Sequence, residues 1–83
     1  MVTKLQAYIL INSEPGRLWE VAEATLKIKG VKMAHTVVGQ YDVIAYAEFV
    51  DMSELGKIID KIQSLKGVMR TQTAIAMALR LKE

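Results

Sequence analysis

The chain has 83 residues, so we expect a single domain over residues 1–83. It contains no cysteine, which excludes disulfides and thiolate metal sites and is typical of a reducing, cytoplasmic setting. The net charge is only +2, from 11 basic and 9 acidic residues dispersed along the chain, which argues against a nucleic-acid-binding surface. No segment is apolar for long enough to cross a membrane. We therefore expect no direct nucleic-acid contact and no membrane association.

The first half of the chain predicts a strand, a helix and a second strand. Residues 5–11 are rich in β-branched and aromatic side chains, as strands are. Asn-Ser-Glu-Pro-Gly at residues 12–16 is a turn signal, and residues 17–28 follow with apolar side chains near helical spacing. Gly30 ends this helix, and residues 31–38 predict the second strand.

The second half predicts the same order of elements. Residues 39–42 predict a turn into a third strand over residues 43–50. Asp51 and Glu54, three residues apart, resemble a capping box with Asp51 as the cap. Apolar residues then recur at i, i+3, i+4, i+7 and i+10 over residues 55–65, which predicts a second helix.

The two halves resemble each other when the sequence is shifted by 37 positions. The shift superposes Ile-Lys-Gly-Val at residues 28–31 on Leu-Lys-Gly-Val at residues 65–68, and a long fourth strand is expected over residues 68–81. The alternative is two unrelated helix–glycine junctions. Two fused βαβ halves predict an α+β, ferredoxin-like βαββαβ fold. Because each crossover is right-handed, both helices lie on one face of a four-stranded antiparallel sheet.

The face of the sheet opposite the helices is also expected to be apolar. Both alternating sets of residues in strands 5–11 and 43–50 contain large apolar side chains, so the sequence leaves open which set faces the helices. A second sheet packed face to face would bury the uncovered side, and a homodimer is its simplest source. The 52% hydrophobic content favours this assembly in so small a chain. We therefore predict dimerisation through the sheet, as in an α+β barrel-like dimer.

Four short motifs follow one another over the chain: a Gly-x-Tyr-Asp turn at residues 39–42, an acidic helix start, the junction at residues 65–68 and Thr-x-Thr at residues 71–73. This arrangement resembles the effector domain of the Lrp/AsnC (feast/famine) transcription regulators, a module called RAM for regulation of amino-acid metabolism. The resemblance covers essentially the whole chain. Full-length family members carry an N-terminal helix-turn-helix domain that these residues lack, so the resemblance implies a stand-alone effector domain without DNA binding of its own.

The resemblance also implies a function. In that family the domains dimerise through their sheets, the dimers assemble into rings, and free amino acids bind between subunits near the Gly-x-Tyr-Asp turn. It therefore implies a free amino acid as effector, a homodimer that assembles into a higher oligomer such as an octamer-like ring, and hetero-assembly with full-length Lrp/AsnC regulators. The implied ligand-binding residues are Gly39, Gln40, Tyr41, Asp42, Thr71 and Thr73.

These residue types suit an amino-acid ligand. Exposed N–H groups in a glycine turn can bind its carboxylate, and the carboxylate of Asp42 can bind its ammonium group. The hydroxyls of Thr71 and Thr73 can donate or accept. The plainer interpretation, in which residues 39–42 form only a hairpin turn, stays open at this point.

No catalytic residue, metal ligand or cofactor is predicted. His35 is the only histidine and is interpreted as an ordinary strand residue. Lys27, Lys29 and Lys32 cluster around the junction after the first helix, and Lys66 and Arg70 occupy the matching junction after the second. Solvated turn residues are favoured there over a weak anion site. Two alternative functions remain: a small dimeric α+β barrel enzyme of the monooxygenase or isomerase type, using His35 or Tyr46, and an ACT-like regulatory domain.

Overall fold

The computed structural model describes residues 4–77 and has the predicted βαββαβ order. Its elements are β1 (Leu5–Ser13), α1 (Leu18–Leu26), β2 (Val31–Thr36), β3 (Val43–Phe49), α2 (Met52–Gln63) and β4 (Val68–Ile75). The four strands form one antiparallel sheet in the order β2-β3-β1-β4. The ferredoxin-like α+β fold predicted from the sequence is confirmed.

Every strand ends elsewhere than predicted, and α1 is shorter than the predicted helix over residues 17–28. β2 ends at Thr36 rather than at residue 38, and β3 ends at Phe49 rather than at residue 50. β1 continues to Ser13, because Ser13 pairs with Val68 of β4 across a bulge. β4 ends at Ile75, although the N–H of Ala76 still donates to the carbonyl of Gln6 at 2.9 Å. The predicted strand over residues 68–81 is therefore too long at residues 76 and 77, and its last four residues lie outside the described part of the chain.

The core lies between one face of the sheet and the two helices. Alternate residues of the central strands β1 and β3 are at most 1% exposed on this face. These residues are Ala7, Ile9, Ile11, Val43, Ala45, Ala47 and Phe49. The apolar stripe predicted for α2 is confirmed, since Leu55, Ile58 and Ile62 are all buried against the sheet.

The two helices begin differently. The carboxylate of Asp51 accepts a hydrogen bond from the N–H of Glu54 at 2.9 Å, as the predicted capping box requires. The return bond differs from the standard box, because the Glu54 carboxylate accepts from the N–H of Val50 at 2.9 Å rather than from Asp51. At the start of α1 the N-cap residue Arg17 makes no side-chain capping hydrogen bond.

The glycines that follow the two helices show that the 37-residue repeat is also structural. Gly30 follows α1 and approaches Ile58 of α2, where an added Cβ would lie 2.8 Å from the Cδ1 atom. Gly67 follows α2 and approaches Val21 of α1, where an added Cβ would lie 3.2 Å from the Cγ2 atom. Both glycines have positive φ, 98° and 96°. Each half of the chain thus ends its helix in the same backbone conformation and packs that glycine against the helix of the other half.

The other face of the sheet is free of helices, and we call it the open face. Its large apolar side chains are only partly covered in the single chain: Tyr8 is 45% exposed and Met33 is 47% exposed. Leu10, Ile44 and Tyr46 are half-buried on the same side. Within residues 4–77, neither helix has the length and apolarity that a membrane crossing demands.

Candidate functional site

The loop between β2 and β3, residues 37–42, closes over the end of β1. The N–H of Val37 donates to the carbonyl of Asp42, and the N–H of Asp42 donates to the carbonyl of Ile11, both at 2.9 Å. The Asp42 carboxylate then accepts from the N–H of Ser13 at 2.8 Å through Oδ2. Three hydrogen bonds therefore fix Asp42 at the point where β3 begins beside β1.

The tip of the loop reaches across β1 towards β4. The side-chain amide of Asn12 donates to the carbonyl of Gln40 at 2.9 Å. The hydroxyl of Tyr41 donates to the side-chain carbonyl of Gln72. Gly39 has a φ of 141° and nothing within 4 Å of where a Cβ would stand, so the backbone conformation rather than lack of space requires glycine there.

The loop exposes groups of both polarities. Among residues 4–77, no other residue donates to Oδ1 of Asp42, so one carboxylate oxygen is held by the main chain and the other is open. None of the main-chain N–H groups of residues 38–41 donates to another residue in this part of the chain. An acceptor with negative charge and a row of free donors therefore lie within four residues of each other.

The structure separates the two threonines from this hydrogen-bond network. Thr71 pairs with Ile11 and Thr73 with Ile9, so both lie on the helix side of β4. The hydroxyl of Thr71 accepts from the side-chain amide of Gln63 in α2 at 3.0 Å. Gln72 lies between them on the open face, and it is the β4 residue that the loop contacts.

Sequence reasoning missed Asn12 and Gln72. Their hydrogen bonds to the loop join residues 28 and 31 positions apart, and no local pattern reports a contact over that distance. The one available signal was the alternation of β4, which places Gln72 opposite Thr71 and Thr73.

The open face carries a shallow apolar depression of about 250 Å³, lined by Tyr8, Met33, His35, Val37, Ile44 and Tyr46. The Tyr8 and Tyr46 rings are 5.3 Å apart and tilted by 51°. Removal from water raises the pKa of the Tyr46 hydroxyl, and its hydrogen bond to the Glu48 carboxylate at 3.1 Å raises that pKa further. Both effects favour the protonated form of this hydroxyl.

His35 also lines this depression, so the two side chains considered for an enzyme do meet in one place. Within the described residues, no group of three or more histidine, aspartate or glutamate side chains is placed to hold a metal ion. The depression is apolar, exposed and bordered by aromatic side chains, which is the composition of an interface core.

The chain is thus a ferredoxin-like domain with a polar loop at one end of its sheet and an apolar face that no helix covers, and comparison with known proteins identifies its family. The family model of the Lrp/AsnC ligand binding domain matches residues 6–82. The chain therefore belongs to the Lrp/AsnC family, and the resemblance drawn from its motifs is confirmed.

Individual relatives agree. The chain is 28% identical over 75 residues to the HTH-type transcriptional regulator LysM of Sulfurisphaera tokodaii, covering 89% of this chain and 54% of that protein. The crystal structure of TTHA0845 from Thermus thermophilus superposes with a TM-score of 0.87 at 30% identity, covering 94% of this chain and 99% of that one. The chain spans about half the length of the curated relatives it matches.

A third relative was solved with a small molecule. The transcriptional regulator NMB0573 of Neisseria meningitidis, in a complex with L-Met, superposes with a TM-score of 0.78 at 25% identity. The match covers 89% of this chain and 50% of that protein. Relatives of this chain are thus named as transcriptional regulators, and one of them was crystallised with an amino acid.

Proposed function

We propose that this chain is an amino-acid-sensing, self-assembling module of Lrp/AsnC type that contributes to transcriptional regulation of metabolism in the cytoplasm. The observation that carries the proposal is that the two carboxylate oxygens of Asp42 differ in their hydrogen bonds. One of its carboxylate oxygens accepts from the N–H of Ser13, while the other accepts from no residue among residues 4–77 and belongs to the same loop as the free N–H groups of residues 38–41. Family membership and the L-Met complex of a relative support the same ligand class.

The loop offers complementary groups for both ends of a free amino acid. The ammonium group of the ligand would bind Oδ1 of Asp42, in a charge-assisted hydrogen bond. Its carboxylate would bind the main-chain N–H groups of Gly39, Gln40 and Tyr41. Thr71 and Thr73 lie on the edge strand β4 and on its helix side, away from the face where the loop contacts Gln72. We therefore assign them to the part of the site that belongs to a neighbouring subunit.

Assembly is the second part of the proposal. The open face pairs with the open face of a second copy, which places the depression around Tyr8 and Tyr46 inside a dimer. Dimers then form a higher oligomer, and full-length Lrp/AsnC regulators that present the same face can join it. In this proposal His35 and Tyr46 serve the interface and the module is not an enzyme.

Thermal unfolding of the purified protein against each of the twenty free amino acids tests the sensing role. A ligand at about 100 times its dissociation constant stabilises the fold by roughly 2.7 kcal/mol. We expect an upward shift in Tm for a few chemically related amino acids, methionine being the first to try. Asp42→Asn should abolish the shift, since the amide keeps an acceptor for Ser13 but loses the negative charge.

The choice of Asn over Ala matters, because Asp42→Ala leaves the buried N–H of Ser13 without a partner and destabilises the protein whether or not a ligand binds. Asp60→Asn, on the exposed side of α2, removes the same charge away from the loop and should keep the ligand response. A flat panel at millimolar ligand contradicts the sensing role. A response that survives in Asp42→Asn contradicts the assigned site.

A further inference from the structure

A second cavity lies at the opposite end of the sheet from the loop. It has a volume of about 330 Å³, and we call it the lysine cavity after the five lysines among its lining residues: Lys4, Lys29, Lys32, Lys57 and Lys61. It forms where β1 and β2 begin, β3 ends and α2 passes over the sheet. Leu5 pairs with Phe49 at this end and Ile11 pairs with Val43 at the other, which places the cavity about 20 Å from the loop.

Positive charge is concentrated in this cavity. Its lining contains five lysines and two glutamates, Glu48 and Glu54, an excess of three positive charges. The whole chain has an excess of only two, so all other residues together are slightly negative. A concave surface lined by one sign of charge concentrates ions of the opposite sign.

Neither glutamate forms an ion pair within 4.0 Å with a cavity lysine in the described part of the chain. The Glu54 carboxylate accepts from the N–H of Val50, and the Glu48 carboxylate accepts from the hydroxyl of Tyr46 on the open face. Among residues 4–77, the ion pairs within 4.0 Å both involve Arg17, with Glu14 and Glu20. The five ammonium groups are therefore without a carboxylate partner within 4.0 Å among residues 4–77.

The internal repeat shows that the fold does not need three of the five lysines. A shift of 37 residues relates Lys57 to Glu20, Lys61 to Ala24 and Lys32 to Met69. The corresponding junction in the other half, around Gly67, thus has the same backbone conformation and retains only one of these lysines, Lys66 in the place of Lys29. Lys32, Lys57 and Lys61 are therefore a feature of one half only, and the junction of the other half folds without them.

The close approach of Gly30 to α2 brings them together. Because an added Cβ at Gly30 would lie 2.8 Å from Cδ1 of Ile58, the backbone after α1 packs directly on α2. This contact places Lys29 and Lys32 on the same cavity as Lys57 and Lys61, which lie one helical turn apart on α2.

We propose that the lysine cavity binds a small ligand with two or more phosphate groups, at a site separate from the amino-acid loop. Several converging ammonium groups match the multiple negative charges of such a ligand, and lysine binds phosphate as a point charge. The volume of about 330 Å³ falls at the lower end of the roughly 300–1,000 Å³ found for small-molecule sites, which suits a ligand of this size.

Isothermal titration calorimetry with inorganic pyrophosphate at low ionic strength tests the site in the wild-type protein and in two double variants. Lys29→Gln with Lys57→Gln removes two cavity lysines. Lys27→Gln with Lys66→Gln removes the same charge from exposed positions that do not line the cavity. We expect the dissociation constant for pyrophosphate to rise about tenfold or more in the cavity variant, equivalent to about 1.4 kcal/mol, and less than about twofold in the control variant.

Chemical shifts of the main-chain amides give a measurement that needs no variant. Titration of the wild-type protein with pyrophosphate should perturb residues 29–32 and 57–61 and leave residues 38–42 unchanged. Absence of pyrophosphate binding by the wild-type protein overturns the proposal, as does equal weakening in both double variants. Binding of a single-stranded oligonucleotide without binding of pyrophosphate also overturns it. Since the amino-acid test uses Asp42 variants at the other end of the sheet, failure of either proposal is distinguishable from failure of the other.

Discussion

The two faces of the sheet are both apolar, yet at the centre of the sheet they carry side chains of different size. At the centre of the helix side, Ala7, Ala45 and Ala47 are fully buried. On the open face the corresponding cross-strand pair is Tyr8 with Tyr46, and Tyr8 is 45% exposed. Small residues let the helices approach the sheet closely, whereas large side chains project from a face on which no helix lies.

This difference concerns how two apolar faces of one sheet can be told apart. Apolar character alone does not distinguish the covered face from the open face, since both have it. At the centre of the sheet the open face differs by its tyrosine pair, whose side chains are large and have polar ends. The tilted tyrosine pair has a large apolar area, and the interaction between two such rings contributes roughly 0.5–1.5 kcal/mol beyond the burial of that area. Its hydroxyls can also form hydrogen bonds with water.

The largest expected effect separates the two faces by stability. Phe49→Ala, at a residue 1% exposed in the helix-side core, should lower the free energy of unfolding by about 3–5 kcal/mol. Leu10→Ala removes a large half-buried side chain from the open face, where less contact is lost in the single chain. Urea denaturation at low protein concentration measures both, and similar losses would contradict the distinction between the faces.

The next effect concerns assembly. Tyr8→Lys should leave the fold intact and raise the dissociation constant of the dimer about 30-fold or more, since substitution of a central aromatic anchor costs roughly 2 kcal/mol or more. Leu26→Lys is the matched control, because Leu26 is 49% exposed at the end of α1 and lies away from the open face. Sedimentation equilibrium distinguishes them. A dimer unaffected by Tyr8→Lys would place the subunit contact elsewhere.

Local sequence patterns were sufficient for the fold. The stripe of α2, the cap at Asp51, the glycines after both helices and the 37-residue repeat each predicted an element that the structure contains. The end of β4 was not predictable from these signals, because its alternating apolar residues continue past Ile75. The face assignment was not predictable either, since both sets of alternating residues are apolar.

The candidate site was predictable only in part, for a physical reason. Residues 39–42 are contiguous, so a motif can report them, and the structure holds them together. Gln72 joins through a contact that depends on the register of β4 against β1 and on the reach of the loop. The lysine cavity likewise unites Lys4 with Lys61 through the packing of α2 on the sheet, which no local pattern encodes.

The smallest effect tests the open face through its titration. Since removal from water and the Glu48 hydrogen bond raise the pKa of Tyr46 in the folded protein, the folded state holds this proton more tightly than the unfolded state. The resulting stabilisation is fully present below the ordinary tyrosine pKa of about 10 and is lost as the pH rises through the folded value. The difference in the free energy of unfolding between the wild-type protein and Tyr46→Phe should therefore be constant up to about pH 10. Above that pH the wild-type protein should lose stability relative to the variant.

The effect should also depend on protein concentration. In the proposed dimer the second subunit covers the open face and removes Tyr46 further from water, so this loss of stability should change more above the dimer's dissociation constant than below it. A difference that is independent of pH at both protein concentrations would show that Tyr46 stays in contact with solvent, and would contradict both the raised pKa and the burial of this face by a second subunit.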